Sequence, residues 1–148
     1  MKALLIRIKS KLQTDLTYVR DGDIFITEGE GVIPDHVKSP AVGLKDGEVL
    51  YNIETGDQET DELFVKAIVY VQLQKPEAAV MGDASTGQKG VLDIIADIKA
   101  SLDDEKFSGI YEAAIPMSES ESELIIDDDT KTGFQMKSII MRYMKLVT

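Results

Sequence analysis

The sequence predicts an α+β fold: a mostly antiparallel sheet of roughly four to five strands with two main helices packed on one of its faces. Three observations carry this expectation. Residues 3–16 and 91–102 repeat apolar side chains every three to four positions, which is the helical period. Residues 63–74 and 134–146 instead form long runs rich in β-branched and aromatic residues, as strands do. Only one of the two helices lies between strands, so crossover βαβ units are not supported, and two helices can cover only one face of such a sheet.

In chain order, Leu4, Leu5, Ile8, Leu12 and Leu16 mark the apolar stripe of the first helix. Asp21-Gly22-Asp23 signals a turn, and Ile24-Phe25-Ile26 a short strand. Residues 27–62 form a long loop and hairpin region. It comprises a loop over 27–39, a hairpin or turn-broken strand at Ala41–Leu44 and Val49–Ile53, and a polar, acidic loop over 54–62. In the strand at 63–74, Val65, Ala67, Val69, Val71 and Leu73 share an apolar face that should meet helices. Phe64, Lys66, Ile68, Tyr70 and Gln72 share a mixed one. Pro76 ends that strand, and residues 77–90 read as a glycine-bearing loop. Val91, Ile94, Ile95, Ile98 and Leu102 give the clearest helical stripe in the chain. A weak strand over 110–116 follows, then a polar stretch, a turn at Thr130–Gly133 and the last strand.

The chain has 148 residues, the length of one domain spanning 1–148, and its 43% apolar content suits a folded core. With no cysteine there is no disulfide framework and no thiolate chemistry. The first residues, with Lys2, Arg7 and Lys9, do not read as a secretory signal, and no apolar run approaches the length of a membrane span. Sixteen basic against 27 acidic residues give a net charge of -11. Specific nucleic-acid binding needs a positive field, which this balance does not supply. Only the first turns run the other way: Lys2, Arg7, Lys9 and Lys11 precede any acid.

Candidate chemistry is sparse. Gly82 to Gly87 has the spacing of a phosphate loop, but Gln88 stands where lysine is needed and Gly90 replaces the hydroxyl that would hold magnesium. His36, the one histidine, cannot build a histidine-rich metal site, and no nucleophile motif accompanies it. The carboxylate groups Asp21/Asp23, Asp103/Asp104/Glu105 and Asp127/Asp128/Asp129 do not follow the calcium-loop pattern. No catalytic, cofactor-binding or metal-binding residue is therefore assigned, and the chain reads as a non-enzyme without a cofactor.

The last strand carries more information. Met136, Ile140 and Met144 fall on one face, and Ile139, Met141 and Tyr143 on the other. A sheet backed by helices on one side should be polar opposite them, yet both faces keep apolar groups. Either the chain's own long loops or another subunit covers the second face. Met136, Ile139, Met141 and Tyr143 are the candidate interface residues on this strand. Lys9 and Lys11 can also meet Glu121 and Glu123 of a neighbouring copy, because residues 119–129 hold six carboxylates and no base.

The order of elements resembles the tail terminator and tail completion proteins of long-tailed bacteriophages and prophages. The likeness runs through the helix Ala3–Leu16, the strand Phe64–Gln74, and the stretch Glu77-Ala78-Ala79-Val80-Met81-Gly82-Asp83. It continues through Gly90–Ile98, Ser120–Ile125 and Gly133–Lys145. It spans most of the chain in style and order, without a diagnostic short motif, and residues 27–61 have no counterpart. The resemblance implies a hexameric ring of identical copies at the head-proximal end of a virion tail. Such a ring is made in the host cytoplasm, stops the tube, and docks onto tube and head-connector proteins while DNA passes through its hole. An acidic lumen suits that role by not retaining the duplex. The runner-up reading is another virion assembly or adaptor protein, such as a head-completion factor; a carboxylate-dependent hydrolase ranks below both.

Overall fold

A computed structural model describes residues 1–128 and 131–147, with the backbone alone at residue 55. Asp129, the last carboxylate of the acidic stretch, and Thr130, the start of the expected turn, lie outside the described residues. The elements run α1 (Lys2–Asp15), a short 3-10 turn (Asp21–Asp23), β1 (Ile24–Ile26), β2 (Ala41–Thr55), β3 (Gln58–Gln72) and α2 (Pro76–Met81). They continue with α3 (Val91–Leu102), β4 (Ala113–Glu119), β5 (Glu123–Ile126) and β6 (Gly133–Leu146). The fold is α+β, with a mixed, mostly antiparallel sheet in the order β1-β2-β3-β6-β4. β5 pairs with the 133–136 end of β6 and β4 with its 139–144 end, so the two share one edge of the sheet. The only parallel pair among the described strands is β1 with β2.

One face of this sheet meets the helices. Leu4, Ile8 and Leu12 of α1 and Ile94, Ile95 and Ile98 of α3 form one buried cluster with Val65, Ala67, Val69 and Val71 of β3. Burying each such aliphatic side chain contributes about 1.5–3 kcal/mol, so this cluster dominates the favourable side of folding. The two helices are tied by the Tyr18 hydroxyl, which donates to Asp97 at 2.6 Å, and the Ser101 hydroxyl, which donates to Asp15 at 2.6 Å. α3 opens with Asp93 accepting from the Gly90 N–H at 3.0 Å, satisfying a donor at the helix start.

Several segments depart from the sequence expectation, among them the polar stretch before the last turn, which contains β5. Residues 41–55 form one strand rather than a hairpin, and Asp46-Gly47 is a bulge in it. A Cβ at residue 47 would lie 2.8 Å from the Phe64 carbonyl oxygen, so the glycine serves close strand approach instead of a turn. The acidic segment 54–62 is the tip of the β2–β3 hairpin, turning at Gly56-Asp57 between paired Thr55 and Gln58. Finally, the expected loop after the third strand begins with α2, where Pro76 sits at the first helical position that proline favours.

The second face is half covered, by the strap of residues 27–40. Ile33 and Val37 of this strap pack on a smaller cluster of Phe25, Ala41, Ile68, Tyr70 and Met136. Its polar ties are specific. The Gly31 N–H donates to the Tyr70 hydroxyl at 2.9 Å, the Gln72 N–H to Ser39 Oγ at 2.8 Å, and the Lys38 N–H to Asp23 Oδ1 at 2.9 Å. Glu30 pairs with Lys66. Asp23 is buried and also accepts from Arg20 Nε at 2.7 Å, so one carboxylate anchors both the chain before β1 and the end of the strap. Burial alone would raise the Asp23 pKa, but the Arg20 guanidinium and the Lys38 N–H outweigh it and hold the carboxyl below its usual range.

A group whose folded pKa is lowered contributes stability that is present above its unfolded pKa, about 3.9, and is lost as pH falls through the folded value. Asp23→Ala should therefore cost about 1.5–3 kcal/mol at neutral pH. It should also flatten the acid limb of a urea-denaturation stability profile measured below roughly pH 5. An unchanged acid limb would show that Asp23 does not anchor the strap.

Candidate functional site

The pairing of β3 with β6 assigns every side chain of β6 to a face. Tyr143 lies opposite Leu63, Met141 opposite Val65 and Ile139 opposite Ala67, all on the side that carries the helix cluster. Met144, Arg142, Ile140, Ser138, Met136 and Phe134 pair with Glu62, Phe64, Lys66, Ile68, Tyr70 and Gln72 on the opposite side.

This corrects the interface expected from sequence. Ile139, Met141 and Tyr143 are fully buried in the main core, with no area left to offer a neighbour. Tyr143 stacks edge-on with Tyr111 at 5.5 Å between ring centroids and lies 6.2 Å from Phe107. Its hydroxyl has no hydrogen-bond partner among the described residues, and burial, with Tyr111 and Glu105 nearby, pushes its pKa up, so it stays neutral. Met136 does lie on the helix-free side but is buried beneath the strap's cluster. Of the charged candidates, Lys11 is spent on Asp15 at 3.0 Å within its own helix. Lys9 is half-buried, and Glu121 and Glu123 are exposed on the β4–β5 edge.

What the helix-free side leaves open is its other half, away from the strap. Register places Leu50 and Ile53 of β2, Phe64 of β3, Ile115 of β4, and Ile140 and Met144 of β6 there. All are half-buried except Ile115, which is exposed. Arg142 lies among them, with Nη1 3.8 Å from Glu62 Oε1. Where the strap ends, Glu30, Lys45, Gly47, Phe64, Lys66 and Ile140 border a groove of about 330 Å³. Its floor is apolar and its walls are charged. Sequence reasoning saw that apolar groups survive opposite the helices, but Ile139, Met141 and Tyr143 lie on the helix side instead. Phe64, Ile140 and Met144 alternate in phase with the true open face, and the signal was masked because both faces of β6 are apolar.

The remaining sequence candidates do not assemble into a reactive centre. Gly82 and Gly90 meet backbone to backbone: a Cβ at Gly90 would lie 2.4 Å from Gly82 N and from Val80 O. The intervening loop closes on itself through the Asp83 N–H to Gln88 O (2.9 Å) and the Gln88 N–H to Asp83 O (3.1 Å). Asp83 also accepts from the Ser85 hydroxyl and N–H, which hold its carboxyl below the usual range, so a carboxylate fills the loop where a phosphate would sit. His36 is exposed in the strap. The carboxylate groups stand apart: before β1, after α3 and after β5. Among the described residues no three His, Cys, Asp or Glu side chains gather to hold a metal ion.

No protein-family model matches the chain, and no curated protein matches it at a significant level.

Because Met141 is core, Met141→Asp should unfold the chain, costing more than about 4 kcal/mol. Tyr143→Phe should leave stability within about 1 kcal/mol of wild type or slightly raise it, since it removes a buried hydroxyl that has no partner. Circular-dichroism melts measure both. A folded Met141→Asp variant would return this face of β6 to the list of surfaces.

Proposed function

We propose that the chain is a non-catalytic structural subunit that assembles with copies of itself into a ring, in the manner of the phage tail terminator and tail completion proteins it resembles. The observation that supports this reading is the uncovered half of the helix-free face. A sheet face that will stay in water is normally polar. Here Leu50, Phe64, Ile115, Ile140 and Met144 line it instead, a surface that another protein can dry.

The chain covers half of this side with its own strap and stops. Had the strap covered the whole face, the apolar side chains would need no partner. Had nothing covered it, the strap's cluster around Tyr70 would be exposed as well. The division separates an internal core from an external apolar surface on the same strands. The acidic balance fits a ring around passing DNA, because like charge weakens retention of the duplex.

Light scattering across protein concentration, followed by negative-stain electron microscopy, tests the reading. The wild-type chain should form closed rings as concentration rises. Phe64→Asp and Ile140→Asp should remain folded by circular dichroism but stay monomeric. Ile115→Asp, at an exposed position, keeps the test valid if either of those unfolds. A wild-type chain that stays monomeric throughout, or an Ile115→Asp chain that assembles like wild type, overturns the proposal.

A further inference from the structure

The two edges of the sheet differ in a way that fits one copy to the next. At one edge, β5 pairs only with β6 among the described strands, leaving its outer backbone groups unpaired. Leu124 and Ile126 project to the helix side of the sheet, since Leu124 lies opposite Gln135 and Ile126 opposite Gly133. The helix over this corner is the six-residue α2, whose buried residues are Ala78 and Ala79. Leu124 and Ile126 therefore remain 57% and 61% exposed. Residues 119–128 around them carry five carboxylates and no base.

At the other edge, α1 packs over β1 and β2. Its two flanks are unlike. Arg7 and Lys11 point toward the chain's own Tyr111 and Glu105. Lys2, Ile6 and Lys9, spaced i, i+4 and i+7, line the other flank, away from α3. Ile6 is 51% exposed there, and no acidic residue occurs in the first 14 positions. Each edge thus presents exposed aliphatic side chains beside an excess of one sign of charge, and the excesses are opposite even though Lys137 lies 3.5 Å from Glu119 at the acidic edge.

We infer that the Lys2–Ile6–Lys9 flank of α1 in one copy docks on β5 of the next, with Ile6 against Leu124 and Ile126 and the lysines facing Glu121, which precedes the strand; Glu123, opposite Met136, projects to the other face. This rests on the ring reading and adds to it a second contact, distinct from the open half-face. The occupant is a second copy because the two surfaces lie at opposite edges of the sheet and cannot meet within one chain. Direct pairing of the β2 edge with the β5 edge is disfavoured. Asp46, Glu48 and Glu54 would face Glu119, Glu121 and Glu123, and like charges across a pair of strands repel. A contact between two different patches repeats head to tail, and closes into a ring when the rotation allows. Its charges select partner and register, while the aliphatic contact excludes water.

The absence of native cysteine makes the test clean. A chain carrying both Ile6→Cys and Leu124→Cys should form, under mild oxidant, a ladder of disulfide-linked species on a denaturing gel. Each single variant alone should form no covalent dimer, and an equal mixture of the two should stop at dimers. Lys9→Glu and Glu121→Lys should each weaken assembly by about tenfold, and both together in one chain should restore it. Circular-dichroism melts of the variants at Ile6, Glu121 and Leu124 should match wild type, since these positions are exposed, and substitution at the half-buried Lys9 should cost little. A doubly substituted chain that assembles without a ladder, or single variants that dimerise by themselves, overturns this contact while leaving the ring reading standing. A wild-type chain that never assembles defeats the ring reading first.

Discussion

The sheet has two faces, and the chain carries enough helix for one. That shortage organises the molecule. β3 is the central strand, flanked by β2 and β6 along nearly its whole length, so its alternating side chains must be covered on both sides. α1 and α3 supply one cover with aliphatic residues that meet Val65, Ala67, Val69 and Val71. The other side has to be closed by irregular chain or by another molecule.

Irregular chain is a costly cover, because its backbone donors and acceptors need partners that helices provide internally. The strap of residues 27–40 meets that cost with side chains. Tyr70 and Ser39 accept from backbone N–H groups, and Asp23 accepts from Lys38 while paired to Arg20. Such ties are available only where the sheet supplies matching polar groups. Beyond Lys66 the open face offers Phe64, Ile140 and Met144, which have nothing to give a backbone amide, and its charged pair, Glu62 and Arg142, is engaged with itself at 3.8 Å. The strap stops where its hydrogen-bond partners stop.

The two main helices, α1 and α3, were legible in the sequence because their signals are local, whereas the six-residue α2 read as loop. α3 occupies Val91–Leu102, the span its stripe marks, bounded by the capping contact at Gly90. The long central strands were legible as strands, but β5 and the hairpin tip at 54–62 were not, and neither were the partners and faces of the strands. β6 is separated from β3 by α2, α3, β4 and β5, so no turn sets its register, and a shift of one residue exchanges its faces. Apolar residues on both faces removed the usual means of choosing. The same distance hid the meaning of Asp46-Gly47, which reads locally as a turn. Only the Phe64 carbonyl across the strand pair turns it into a bulge. The candidate surface was therefore visible as a surplus of apolar residues, and its location awaited the pairing.

Charge adds a second constraint to the same geometry. A net charge of -11 opposes self-association unless the charges that meet are of opposite sign. Among the chain's basic residues, Lys2 and Lys9 share one flank of α1, at the edge farthest from β5. An apolar face by itself would permit many orientations between copies. Opposed charges at opposite edges reduce them to one direction around the assembly, which is what a ring requires and a symmetric dimer does not. The apolar half-face and the polarised edges thus ask for different things from a neighbour, area from one and orientation from the other, and the proposed head-to-tail arrangement of identical copies would have to supply both.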